Sequence, residues 1–104
     1  MRKITKKMIR EGLNSGLVKI VDSPHDDGAV CSIGEYWFYF GGFTAEQESA
    51  ESYLRNVPLK DIVDEIYTVL EDFRIEADCY KEEYDYYYYY ITEKLNKKRR
   101  NTNE

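Results

Sequence analysis

The sequence predicts an α+β fold: a short N-terminal helix, a three-stranded antiparallel β-meander, a short helix and a long C-terminal helix. Three observations carry this. Strand-forming runs between residues 17 and 40 are separated only by tight-turn pairs, which antiparallel strands allow and parallel ones do not. From Pro58 to about Asn96 there is no further Gly or Pro. Over that second stretch the apolar residues recur at helical rather than strand spacing. At 104 residues the chain is long enough for one domain, 1–104. Its basic ends, about 1–4 and 97–104, are expected to be loosely held.

Thr5 is placed to cap a helix running to about Asn14, with Met8, Ile9 and Leu13 on one face and Gly16 as its stop. Leu17–Val21 is the first strand. Ser23-Pro24-His25-Asp26-Asp27-Gly28 is a dense turn cluster. Ala29–Ile33 and Tyr36–Phe40 are the second and third strands, with Gly34-Glu35 as the turn between them. Gly41-Gly42 ends the meander. Thr44 and Gln47 have the spacing of a capping box, and Ser49 offers a second start, for a short helix carrying Ala50, Tyr53, Leu54 and Val57. Pro58 suits the first position of the next helix, where its missing N–H costs nothing.

Beyond Pro58 the residues Ile62, Ile66, Val69, Phe73, Ala77, Tyr80, Tyr84, Tyr88, Ile91 and Leu95 follow offsets 0, 4 and 7 in an eleven-residue repeat. Eleven residues in three turns is ~3.67 per turn, so the stripe stays nearly parallel to a helix axis. The unbroken phase favours one helix of roughly 38 residues, about 57 Å long. A bend around Glu76–Asp78 is the competing reading. A rod of that length overruns a domain whose radius of gyration is ~13 Å. Tyr86–Tyr90 covers the whole helix circumference, so Tyr86, Tyr89 and Tyr90 are expected to meet another molecule, most simply a second copy in a homodimer. Tyr80, Tyr84, Tyr87 and Tyr88 are equally well explained as core.

The net charge of −5 is unevenly spread. Arg2, Lys3, Lys6, Lys7 and Arg10 make the first ten residues strongly basic, and Lys94, Lys97, Lys98, Arg99 and Arg100 do the same for the end. The segment between holds nineteen acids and five bases. Such a body repels nucleic acid and attracts basic protein surfaces. Carboxylates at Asp61, Asp64, Glu65, Glu71, Asp72, Asp78, Glu82, Glu83 and Asp85 along a helix would imitate a phosphate array, although a solvated helix face accounts for them too. Binding of nucleic acid through the basic ends is a weaker option, because Glu82, Glu83 and Asp85 interrupt the tyrosines that would stack on bases.

Catalytic chemistry finds little to work with. His25 is the single histidine, in a turn with Asp26 and Asp27 whose composition turn chemistry explains. Cys31 falls in a strand, and Cys79 lies among acids that disfavour a thiolate. Gly41-Gly42 lacks the lysine and spacing of a phosphate loop. No catalytic residue, metal site or cofactor is therefore expected. There is no export signal and no apolar run of ~18 residues, which with two unpaired cysteines predicts a cytoplasmic protein with no membrane association.

Glu35-Tyr-Trp-Phe-Tyr-Phe-Gly-Gly-Phe-Thr-Ala-Glu, with Tyr53-Leu-Arg-Asn-Val-Pro and Asp61-Ile-Val-Asp-Glu-Ile, resembles small acidic proteins of phages, plasmids and conjugative elements of low-GC Gram-positive bacteria. The likeness covers roughly residues 1–95. Some small acidic proteins of similar genetic origin are anti-CRISPR inhibitors of RNA-guided nucleases. The resemblance thus implies non-catalytic binding to a basic protein partner such as a nucleic-acid enzyme, and carries no residue-level role with it. The residues expected to touch that partner are Tyr86, Tyr89, Tyr90, Glu82, Glu83 and Asp85.

Overall fold

The computed structural model describes residues 2–25, 27–76 and 78–102. Helix α1 spans Lys6–Ser15, and the strands are β1 (Val18–Asp22), β2 (Ala29–Ile33) and β3 (Tyr36–Tyr39). Helices α2 (Gly42–Gln47), α3 (Ala50–Asn56) and α4 (Leu59–Ile75) follow. A 3₁₀ turn, Asp78–Tyr80, leads into α5 (Lys81–Thr102). The sheet is an antiparallel meander in the order β1-β2-β3. Ile20 faces Cys31 across the first pair, and Cys31 faces Phe38 across the second. The α+β class and its order of elements are as the sequence predicts.

Local chemistry fixes the boundaries. Thr5 forms the capping box with Met8, its hydroxyl accepting from the Met8 N–H at 3.2 Å. Gly16 closes α1 in the left-handed region, φ 81°. Ser49 caps α3 by accepting from the Ser52 N–H at 3.1 Å. Two details differ. Thr44 lies inside α2, whose N-cap is Gly41, so the helix begins three residues before the cap that the sequence suggests. Pro58 is the N-cap of α4 rather than its first helical residue, one position earlier than expected.

The larger correction concerns the C-terminal rod. The uninterrupted helix gives way to α4 and α5, with α4 capped at Glu76, inside the span where the competing reading placed a bend. Ala77 lies outside the described residues. The longest dimension of the molecule is 42 Å, too short for a helix of about 57 Å. A second helix laid on the sheet buries Tyr84, Tyr87 and Ile91. Each such side chain contributes ~1.5–3 kcal/mol. The helical hydrogen bonds given up at the corner are worth ~0.5–1.5 kcal/mol each, and the 3₁₀ turn restores some of them. Burial wins, and no Gly or Pro is needed to make the corner.

The buried stripe changes accordingly. α4 buries Ile62, Val63, Ile66 and Leu70, leaving Val69 and Phe73 half-buried; α5 buries Tyr84, Tyr87 and Ile91, leaving Tyr88 and Leu95 half-buried. Phe38 joins both helices to the sheet, its ring 5.5 Å from Phe73 and 5.6 Å from Tyr87. The N-terminal segment closes the other side. Ile4 is buried, and its backbone N–H donates to the Tyr84 hydroxyl at 2.7 Å. Arg2 and Ile4 thus both contact α5, while residues 1, 103 and 104 of the two basic ends lie outside the described residues. At the other end α5 continues through residues 97–102.

Candidate surface for a protein partner

The six residues singled out for partner contact divide between the interior and the surface. Tyr86 points back at its own sheet. Its hydroxyl accepts from the Glu35 N–H at 3.1 Å, and its ring meets Tyr36 edge-on at 5.0 Å. Gly34 makes this approach possible, because a Cβ there would overlap the Tyr86 hydroxyl oxygen and the backbone is left-handed at φ 64°. Tyr90 stacks on Tyr86 at 5.9 Å, with the Lys94 ammonium 5.8 Å from its ring. Tyr89 is 47% exposed, and the Arg2 guanidinium lies 4.8 Å over its face. Asp85 pairs with the same Arg2 at 3.6 Å. Glu83 is half-buried, with the Tyr87 hydroxyl 3.5 Å from one oxygen, while Glu82 is exposed. Tyr86 and Tyr90 are therefore covered largely within one chain. Tyr89, with Arg2 over one face, stays the most open of the three.

The acids of α4 are similarly engaged. Lys6 pairs with Asp64 at 3.1 Å and lies over the Tyr67 ring, and Arg74 holds Glu71 at 2.7 Å. The Arg74 guanidinium keeps the Glu71 carboxyl below its ordinary pKa. Glu65 accepts a short hydrogen bond from the Tyr53 hydroxyl. Burial, and then this carboxylate, push the Tyr53 phenol above its usual value. Arg2, Lys6 and Lys7 of the basic N-terminus thus each pair with a carboxylate of the protein itself. Asp61, Asp72 and Glu82 remain exposed.

Sequence reasoning passed over the aromatic surface on β3. Strand alternation sends Tyr36 and Phe38 toward the helices, and Trp37 and Tyr39 to the other face. There the Trp37 ring sits 5.4 Å from Tyr39 and 5.8 Å from His25. Trp37 is 36% and Tyr39 45% exposed. β3 is the last strand of the sheet among the described residues, and a groove of about 340 Å³ is lined by Trp37, Phe38, Tyr39, Phe73, Tyr80 and Glu83. Phe73 and Tyr80 stack at 4.5 Å to form its wall. The Tyr-Trp-Phe-Tyr run itself was the available signal. Four aromatics on a strand at the end of a meander cannot all face inward.

The remaining candidates carry less. His25 is exposed in its turn, and Asp26 lies outside the described residues. Cys31 is buried, and burial pushes its thiol well above the ordinary value, the opposite of what a nucleophile needs. Cys79 is exposed. Among the described residues no helix is long and apolar enough to cross a membrane. In comparisons with known proteins, no family model, no curated protein and no solved structure matches the chain.

Proposed function

We propose that this protein is a non-catalytic, cytoplasmic binding domain for a basic protein surface. Its working face is the corner where α4 turns into α5. The supporting observation is a coincidence of chemistry at that corner. Glu83 lines one groove with the accessible rings of Trp37 and Tyr80, and Glu76 and Glu82 are exposed on the same corner segment. Tyrosine and tryptophan rings exposed next to carboxylates suit recognition of lysine- and arginine-bearing partners. The resemblance to mobile-element proteins extends this reading to inhibition of a nucleic-acid enzyme, such as an RNA-guided nuclease, whose basic channel the acidic corner would occupy.

The test is inhibition of such nucleases by the purified protein, repeated with Glu82→Lys/Glu83→Lys. We expect loss of inhibition in the variant, and weakening of the wild type as salt rises from about 50 to 500 mM, where screening shortens from ~14 to ~4 Å. Salt-insensitive activity unchanged by charge reversal would remove the electrostatic reading.

A further inference from the structure

We propose that the aliphatic groove between α1, β1, α3 and α4 holds an acidic amphipathic helix of a second partner. This goes beyond the basic-partner reading and does not rest on it. The groove, of about 360 Å³, gathers Leu13 from α1, Val21 from β1, Leu54 from α3, and Leu59 and Ile62 from α4. Among the described residues its lining has no aromatic ring and no carboxylate. Val21, Leu54 and Leu59 stay exposed, three aliphatic side chains of one groove that the finished core leaves uncovered. A contiguous apolar surface of this kind marks an interaction site. It lies by β1, whereas the groove of Trp37 and Tyr80 lies by β3, the other end of the sheet.

Charge selects the occupant. Residues 11–93 hold nineteen acids and five bases, and three of those bases, Lys19, Arg55 and Lys60, belong to the groove or adjoin its residues in sequence. Lys19 is the one charged residue of the lining among the described residues, and Lys60 follows Leu59. Both are exposed, and among the described residues neither forms an ion pair. Arg55, beside Leu54, is already matched by Glu51 at 2.9 Å. Asp61, the next residue after Lys60, is exposed and lies near the Tyr53 phenol. This part of a negative molecule thus offers two unmatched ammonium groups beside an apolar floor. A segment whose aliphatic side chains are flanked by Asp or Glu complements both. It is a helix rather than a strand, because a helix satisfies its own backbone and asks of the groove only apolar contact. Leucines at i, i+3 or i+4 and i+7 would lay one stripe along Val21, Leu54 and Leu59 while the acids beside them reach Lys19 and Lys60.

The probe is a fluorescein-labelled peptide of about fourteen residues, near the length at which isolated helices become stable, with leucines at helical spacing and glutamates elsewhere. One control replaces every glutamate by lysine, and another places a proline at the centre. Fluorescence anisotropy gives the affinity, and methyl NMR signals of Val21, Leu54 and Leu59 report the place. We expect the acidic peptide to bind saturably and shift those signals, against the repulsion of a protein with net charge −5. The lysine peptide should leave them unmoved wherever else it binds, and the proline peptide should bind about tenfold more weakly. Leu54→Ser and Lys19→Glu/Lys60→Glu, all at exposed positions, should each weaken binding about tenfold. Glu82→Lys/Glu83→Lys, at the other end of the sheet, should leave it within about twofold at physiological salt. No saturable binding at about 1 mM, or binding that leaves the three methyl signals unmoved, overturns the proposal. A proline peptide that binds as well as its parent overturns the helix, and a lysine peptide that takes the groove equally overturns the charge selection. A concentration-dependent dimer that shifts the same signals without peptide gives the groove to a second copy. None of these results touches the basic-partner reading, which the nuclease assay tests separately.

Discussion

Helices α4 and α5 sit side by side on one sheet yet are held by different chemistry. The ridge of α4 is aliphatic, Ile62, Val63, Ile66 and Leu70, and it asks nothing of its neighbours beyond close packing. The ridge of α5 is built on Tyr84 and Tyr87, and each ring carries a hydroxyl into the interior. Those hydroxyls need partners, and the chain supplies them locally: Tyr84 accepts from the Ile4 N–H, and Tyr87 lies within reach of Glu83. Tyr86 adds a tie to the Glu35 N–H. The buried ridge of the first helix is therefore held by area, its directional ties, Glu65 to Tyr53 and Asp64 to Lys6, lying on its flanks, whereas in the second the core rings themselves carry directional bonds to the N-terminal segment and the β2–β3 turn.

This contrast can be broken at several points. The largest effect should come from Leu70→Ala, which leaves a cavity in a well-packed aliphatic ridge. We expect a loss of about 2–5 kcal/mol in urea unfolding. Alkaline pH should act on the tyrosine side. Burial raises the phenol pKa values of Tyr53, Tyr84 and Tyr87 above the ordinary 10.0. Between the unfolded and folded values the native state binds more protons, so stability falls as pH rises. The contribution is complete below pH 10 and is lost above it, by about 1.4 kcal/mol per pH unit for each tyrosine still protonated only in the fold. Tyr87→Phe should make the alkaline limb of a stability–pH curve shallower, and a curve unchanged by that substitution would contradict the assignment.

Tyr84→Phe tests the directional bond alone, because the ring stays and the buried Ile4 N–H loses its acceptor; about 1–3 kcal/mol should be lost. Gly34→Ala should cost about 1–2 kcal/mol through its left-handed backbone and the clash with Tyr86. Adding Tyr86→Ala should remove the steric part and leave the backbone part, a non-additivity that a double-mutant cycle measures. Smallest is Arg2→Ala, which removes a surface ion pair with Asp85 and the contact with Tyr89. A loss under about 1 kcal/mol that vanishes at high salt is expected.

Most of the fold was legible because its punctuation is local. Thr5, Gly16, Gly34 and Ser49 act within a few residues of themselves, and each does what its type predicts. The Glu76 corner was harder to read. The eleven-residue sequence pattern runs on across the 3₁₀ turn although the buried stripe shifts there, so continuity of pattern does not require continuity of helix. The local hint was weak: Asp78 and Cys79 are poor helix formers among good ones. What ends α4 is the sheet that α5 can reach, a tertiary cause invisible to a single segment. The candidate surface suffered from the same blindness. Tyr86 seemed destined for a partner because the turn at Gly34, fifty-two residues earlier, could not be seen beneath it. The aromatics of β3 satisfy strand propensity, which does not say which face is covered, and the structure leaves Trp37 and Tyr39 partly exposed.

The bond between Ile4 and Tyr84 joins residues eighty positions apart. A ribosome adding ~5–20 residues per second needs about 4–16 s to travel that distance. Through that interval Ile4 has no lid and waits for a tyrosine not yet made. Closure of this side of the interior therefore follows synthesis of α5 and cannot accompany that of the sheet.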